Sequence, residues 1–192
     1  MAKQTCNLMI RAAALSLGLF AACVAHGQGG GETPADFWQT PTVTRFGKMH
    51  PLPDAAYQPR KMATYRIVFS VTEGGKPGEV YASLDHVART VNLYAWAGAP
   101  LDQRKFVAIM SGNATAAALD NAHYQQQFGV DNPNLEIIRE LRAAGVDVAV
   151  CGQAAAEHHY PYEWIASNVT LGLSALTTIT VLENEGYALM PL

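Results

Sequence analysis

From Thr64 onward, short runs of β-branched and aromatic residues alternate with longer stretches of helical periodicity, and this alternation limits the folds open to the chain. Parallel strands need a long crossover between them, usually a helix, so the pattern predicts a parallel sheet with helices on both faces. We therefore expect an α/β fold, a three-layer sandwich around a mainly parallel central sheet of about five strands. The strands are predicted over 65–71, 106–110, 146–150, 169–171 and 187–190.

Helices are predicted in the segments between these strands. The clearest boundary signals belong to the third helix, where Asn132 suits the N-cap, Pro133 suits the first helical position and Gly145 ends the helix. Apolar residues at helical spacing, or a composition that suits helix, predict the full set. The helices are predicted over 80–98, 114–128, 133–145, 161–166 and 173–185.

The first 27 residues have the pattern of a secretory signal peptide. Two basic residues and no acidic residue precede an apolar run over 12–25, and Ala25 and Gly27 are small residues at the −3 and −1 positions for cleavage. The run is shorter than the roughly 18–20 residues that span a bilayer. We expect export to the periplasm, with an uncleaved anchor or lipoprotein processing at Cys23 as the alternatives.

Residues 28–63 lack periodicity and contain five prolines, which predicts a linker followed by an arm on the surface of the domain or on a neighbouring subunit. Trp38 and Phe46 indicate that part of this arm docks. The expected organisation is a signal peptide over 1–27, the linker and arm over 28–63, and one α/β domain over 64–192.

Charge and cysteine content exclude two classes of protein. The chain has 13 basic and 16 acidic residues, a net charge of −3, and removal of residues 1–27 makes it −5, which gives no reason to expect nucleic acid as a partner. Of three cysteines, only Cys151 remains after that removal, so a disulfide framework is excluded. An unpaired thiol in an oxidising compartment is either buried and inert or kept for its reactivity.

Functional groups of an open parallel sheet gather beyond the carboxyl ends of its strands. Three such ends are predicted, at 72–74, 111–113 and 151–153. The third is the most informative, because Cys151 precedes Gly152 and a predicted helix, where amide N–H groups favour a thiolate. The competing interpretation is a buried apolar cysteine.

Neighbouring residues leave further alternatives open. Glu157, His158 and His159 lie within eight positions of Cys151 and are candidates to deprotonate it or to line its pocket. Zinc bound by Cys151 and these histidines would need a further ligand, for which His123 is a candidate. The sequence contains no Cys-x-x-Cys, no dinucleotide or P-loop fingerprint and no Gly-x-Ser-x-Gly elbow, so it supports neither dithiol, phosphate-binding nor hydrolase chemistry.

The segment over 132–153, which ends in Cys-Gly-Gln, resembles the DsrE/DsrF-like family of sulfur-relay proteins. Ser-Gly-Asn at 111–113, Leu-Ser-Ala-Leu at 173–176 and Glu-Gly-Tyr at 185–187 extend the resemblance over 64–192. It implies a small three-layer, flavodoxin-like α/β domain that assembles as homo-oligomers, commonly trimers or hexamers. In members that transfer sulfur, a cysteine carries it as a persulfide, and that role falls on Cys151 here.

The leading hypothesis is an exported protein that binds or relays sulfane sulfur on Cys151, with no metal or organic cofactor. Gly152 and Gln153 would supply backbone N–H groups to the outer sulfur, and Asn113 and His158 would line the same mouth. Sulfur donors and acceptors would be proteins or small thiols. The alternative is a non-catalytic oligomeric binding or scaffold module in which Cys151 is packed and inert.

The C-terminal stretch over 169–190 holds more apolar residues than one helix face and one strand require. Surplus apolar surface of this kind usually marks a subunit interface. We therefore expect a homo-oligomer that persists when residues 28–63 are deleted, while the alternative is that the arm covers this surface within one chain.

Overall fold

Strands and helices alternate along the part of the chain that the structure, a computed structural model, describes, namely residues 34, 36–61 and 63–192. The predicted signal peptide over 1–27 and the linker up to residue 33 lie outside the described residues. The elements are β1 (Tyr65–Val71), α1 (Ala82–Trp96), β2 (Arg104–Met110), α2 (Asn121–Phe128), α3 (Asn134–Ala143), β3 (Val146–Cys151), α4 (Gly152–Glu157), β4 (Thr170–Gly172), α5 (Ala175–Asn184) and β5 (Ala188–Pro191).

The strands form one five-stranded sheet in the order β4-β3-β2-β1-β5. All four strand pairings are parallel. The expected three-layer α/β fold around a parallel sheet is therefore confirmed. Because the strands are parallel, the loops that follow β1, β2 and β3 emerge at the same edge of the sheet.

The prediction of one continuous helix over 114–128 is wrong. Residues Gly112–Ala118 form a 3₁₀ helix, and α2 begins only after Leu119, which forms an antiparallel bridge with Ile165. The Asp120 side chain accepts a hydrogen bond from the N–H of His123 and so caps α2. Aspartate favours this capping position over a helix interior, which explains the break. The helical piece predicted over 161–166 is likewise a shorter 3₁₀ helix, Tyr162–Trp164.

Side chains of the sheet alternate between two cores of unequal size. Ile67, Phe69 and Val71 of β1 belong to the larger core, which α1 and α3 cover. Val68 of β1 lies on the opposite face, where α5 provides the cover through Ile179 and neighbouring residues. One face of the sheet thus has two long helices and the other has one.

The arm docks on α1 of its own chain, where Asn92 is fully buried. The Asn92 side-chain oxygen accepts hydrogen bonds from the N–H groups of Thr42 and Val43 at 3.0 and 2.9 Å. Its amide donates to the carbonyls of Val43, Phe46 and Gly47. One side chain therefore satisfies five backbone groups of the arm, three in buried hydrogen bonds and two in partly buried ones.

Two carboxylates add to this attachment. Asp85 accepts a 2.7 Å hydrogen bond from the N–H of Gly47, and Glu140 of α3 pairs with Arg45 at 2.9 Å. Burial raises the pKa of Glu140, but its hydrogen bonds from Arg45 and Thr44 outweigh burial and hold the pKa below its usual range. The carboxylate therefore remains charged and keeps its bonds to the arm at neutral pH.

Gly47 passes close to α1, where an added Cβ would lie 2.2 Å from the backbone nitrogen of Arg89. Its φ of +64° is also a conformation that favours glycine. Val43 and Met49 of the arm are buried in the structure. The arm is thus packed into its own domain, and its deletion would expose core residues.

Among the residues that the structure describes, no helix has both the length and the apolar character needed to cross a membrane.

Replacing Asn92 by leucine should destabilise the protein by about 2–4 kcal/mol, because the variant leaves buried backbone groups of the arm without partners. Urea denaturation measures the change in the free energy of unfolding. Thr90→Ala, at a partly exposed position on the same helix, is the control and should stay within about 0.5 kcal/mol of the wild type. Equal stability of the Asn92→Leu variant and this control would contradict the role of Asn92 as the attachment point.

Candidate functional site

Cys151 is the last residue of β3, at the edge of the sheet where the loops converge. Its side chain shares a face with Ala149 and contacts the core on the α5 side, together with Ala154 of α4. Only 5% of the residue is exposed. The thiol is therefore at the position that the sequence predicts, with its sulfur turned inward beneath α5.

The Cys151 sulfur caps the following helix. Its Sγ accepts a hydrogen bond from the backbone N–H of Ala154 at 3.3 Å, and α4 begins at Gly152. A hydrogen bond from a backbone amide stabilises negative charge on the sulfur. The sequence predicts that the N–H groups of Gly152 and Gln153 contact the outer sulfur of a persulfide. It did not identify Ala154 as a donor to Sγ itself, although a residue two or three positions after an N-cap is the usual donor.

The loop that follows β4 packs on Gly152, the residue after the cysteine. A Cβ added at Gly152 would lie 2.9 Å from the carbonyl oxygen of Gly172 and 3.4 Å from that of Leu173. The side-chain amide of Gln153 donates to the Leu173 carbonyl at 3.3 Å. We call residues 172–174 the cover loop. It rests directly on the start of α4, and its close approach requires the missing side chain of Gly152.

Asn113 and His158, the other two predicted site residues, lie in a separate cavity of about 380 Å³ that Cys151 does not line. The cavity opens between the loop after β1, the start of the 3₁₀ helix after β2 and the end of α4. His158 Nε2 donates to the carbonyl oxygen of Gly112 at 2.9 Å, since a carbonyl can only accept. The cavity residues are Glu73, Gly74, Gly75, Pro77, Tyr81, Asn113, Ala116, Phe128, His158 and Tyr160.

Two tyrosines of this cavity, Tyr81 and Tyr160, have a pKa above the ordinary value of a tyrosine. Burial, and then the neighbouring Tyr124, raises the pKa of Tyr81 far above its ordinary value. Burial, followed by Tyr124, also raises the pKa of Tyr160. Both phenols therefore stay protonated and neutral at physiological pH, and act as hydrogen-bonding groups rather than as charges.

The zinc site considered from the sequence does not form among the residues that the structure describes. These residues contain no group of three or more histidine, cysteine, aspartate or glutamate side chains placed to hold a metal ion. His123 is instead hydrogen-bonded to Asp120 at 2.8 Å, and its ring stacks on Trp164. Here the imidazole supports the start of α2.

An apolar groove of about 390 Å³ lies beside α5. Its floor includes Val107 and Ala149, and Leu173, Val181 and Leu182 form part of its walls. Around it, large apolar side chains are exposed to solvent, with Leu173 at 73% and Leu176 at 80%. The face with a single long helix is therefore the face that leaves apolar surface uncovered.

Comparison with known proteins gives one family and one solved structure of note. The model of the DsrE/DsrF-like family matches residues 66–192, a range that contains nearly all of β1 and every later element. A solved structure with detectable similarity is that of a protein of unknown function, MTH1491, from Methanobacterium thermoautotrophicum. It is 16% identical, with 67% of this chain and 99% of that chain covered and a TM-score of 0.47. No curated protein matches the chain.

Replacing Gly152 by alanine should force the cover loop away from α4, because the new Cβ would press on a backbone carbonyl rather than on a flexible side chain. We expect a loss of stability of about 1–2 kcal/mol and alkylation of Cys151 that is several-fold faster than in the wild type. Iodoacetamide labelling followed by mass spectrometry measures the rate. Ala156→Ser, at an exposed position of the same helix, is the control. An unchanged rate in Gly152→Ala would show that the loop does not govern access.

Proposed function

The chain belongs to the DsrE/DsrF-like family, and from this premise we propose that it binds and relays sulfane sulfur as a persulfide on Cys151. The observation that carries the proposal is the position of this thiol. It ends a strand at the functional edge of a parallel sheet, and its sulfur accepts a backbone N–H from Ala154. A backbone N–H is thus directed at the sulfur, and the thiolate is the nucleophilic form of a cysteine.

The proposed transfer has two balanced steps and needs no net oxidant or reductant. The Cys151 thiolate attacks the outer sulfur of a donor such as thiosulfate, the sulfur–sulfur bond of the donor breaks, and sulfite leaves with the bonding electron pair. Cys151 then holds the added sulfur as Cys–S–S⁻. An acceptor thiolate attacks this outer sulfur, takes it as its own persulfide and releases the Cys151 thiolate.

Access to the sulfur depends on the cover loop. With Cys151 only 5% exposed, a donor reaches it when residues 172–174 move away from Gly152. The loop is held here by the pairing of Gly172 with Cys151 in the sheet and by the hydrogen bond of Gln153 to the Leu173 carbonyl. Leu173 itself is largely in solvent, so its displacement exposes little additional apolar surface.

A second candidate function is a non-catalytic binding or scaffold module. It is favoured by the packing of Cys151 among Val68, Ile109 and Ala149 in the apolar core under α5. A buried cysteine in such a setting behaves as a small apolar residue. The two candidates differ in whether the native protein exposes the sulfur to reagents.

We further propose that the protein forms homo-oligomers through the α5 face. Leu173 and Leu176 project into solvent beside the apolar groove, and Leu171 and Leu189 at the two edges of the sheet are partly exposed as well. Exposed apolar surface of this extent is typical of a subunit interface. The described part of the arm packs against α1 and α3 of its own chain, away from this surface.

Export is proposed from the N-terminal sequence pattern. Residues 1–27 resemble a signal peptide, and cleavage before Gln28 would leave Cys151 as the single thiol of the periplasmic protein. A single thiol has no partner within the chain for a disulfide, which suits a residue that exchanges sulfur with other molecules.

Incubation with thiosulfate or polysulfide should add one sulfur atom to the protein, as measured by intact-mass spectrometry. The gain should reverse with reductant and be absent in Cys151→Ser. A thiol that remains unmodified would contradict the persulfide proposal. Alkylation of native protein then separates the two candidates, because the scaffold module predicts slow labelling that accelerates only when the protein unfolds.

Light scattering at micromolar concentration should give a mass that is a multiple of the monomer mass. The double variant Leu173→Glu with Leu176→Glu should be monomeric, because charges would have to be buried in the interface. The double variant Leu52→Glu with Leu101→Glu changes two exposed leucines outside the α5 face and should keep the wild-type mass. A monomeric wild type would contradict the proposed assembly. Dissociation of the Leu52→Glu, Leu101→Glu variant would show that the interface includes a surface outside the α5 face.

A further inference from the structure

We propose that the cavity at the carboxyl ends of β1 and β2 binds a small organic ammonium ion. This site is distinct from the proposed sulfur site, because Cys151 does not line it. Its volume of about 380 Å³ is within the range of small-molecule sites, and its place beyond the strand ends is where open α/β sheets bind ligands.

Aromatic rings form much of the cavity wall. Tyr81, Phe128 and Tyr160 line it together with the imidazole of His158. The rings of His158 and Tyr160 stack, with centroids 5.4 Å apart and planes inclined by 16°. Aromatic faces carry partial negative charge and attract cations, and cages of such rings are the usual means by which proteins hold methylated ammonium groups.

The charged groups of the cavity also favour a cation. Glu73 contributes a carboxylate, and no lysine or arginine is among the lining residues. The two phenols are neutral, since burial raises their pKa. An anion would find no lysine or arginine side chain in this lining, and the Tyr81 N–H at the start of α1 already donates to Asn134 at 2.8 Å.

Hydrogen-bond acceptors are available beside the rings. His158 Nε2 carries its proton toward the carbonyl oxygen of Gly112, so in the neutral ring Nδ1 is an acceptor. The side-chain carbonyl of Asn113 supplies a second acceptor on the same lining. Acceptors of this kind suit the N–H groups of an amine or the hydroxyl of an amino alcohol.

The loop after β1 holds this wall in place by close backbone packing. A Cβ at Gly74 would lie 2.6 Å from the carbonyl oxygen of Asn113, and a Cβ at Gly75 would lie 2.7 Å from the ring of Tyr81. Only glycine lets the loop lie this close to both groups. The two glycines therefore bring Glu73 to the edge of the aromatic wall.

Choline is the first probe, and its neutral isostere, in which carbon replaces the quaternary nitrogen, is the matched comparison. Calorimetry on the mature protein should show choline binding at least 10-fold more tightly than the isostere. Amide resonances of Gly74, Gly75 and Asn113 should shift on titration. Cys151→Ser should bind choline as the wild type does, so the result is independent of the sulfur chemistry.

Glu73→Gln, at an exposed position, should weaken choline binding about 3- to 10-fold and make it less sensitive to salt. Phe128→Leu keeps an apolar side chain but removes the ring, and should weaken binding about 5-fold or more. Tyr57→Leu, at an exposed aromatic residue of the arm, should leave it unchanged. Equal affinity for choline and its isostere, amide shifts confined to other parts of the chain, or no choline binding at millimolar concentration would each overturn the proposal.

Discussion

Parallel pairing of β1 with β2, from Tyr65 opposite Arg104 to Val71 opposite Met110, is the constraint on which the rest of the arrangement depends. Parallel strands direct the loops that follow them to one edge of the sheet. The loops after β1 and β2 therefore meet the end of α4 and enclose a cavity. The same geometry brings Cys151, at the end of β3, to this edge as well.

The two sides of the sheet are covered unequally. On one side, α1, α3 and the 3₁₀ helix after β2 enclose a large core, and the arm is fixed to α1 through Asn92. On the other side, α5 and the short α4 cover the strands and leave a groove and exposed leucines. Since apolar area left in water is unfavourable, this asymmetry gives the α5 side its proposed role in assembly.

Side-chain alternation separates the two chemical features at the functional edge. Ala149 and Cys151 point to the α5 side of β3, while Val148 and Val150 point to the other side. Cys151 is consequently buried on the α5 side, whereas the aromatic cavity lies between the loops after β1 and β2. A buried nucleophile and an open cavity can therefore serve different ligands within one small domain.

The sequence by itself determined the strands, the parallel sheet and the place of Cys151 at a strand end, because these follow from local periodicity and from short signals such as Gly145. It also predicted that the chain around Trp38 and Phe46 would dock. Only the tertiary structure decided that Asn92 receives the arm, that residues 172–174 pack on Gly152 beside the thiol, and that Asn113 and His158 lie in a cavity without Cys151. These outcomes depend on contacts between residues far apart in the chain, such as Gly152 with Gly172 and Asn92 with Val43. Such contacts are set by how the helices cross the sheet, and local sequence patterns carry no record of that geometry.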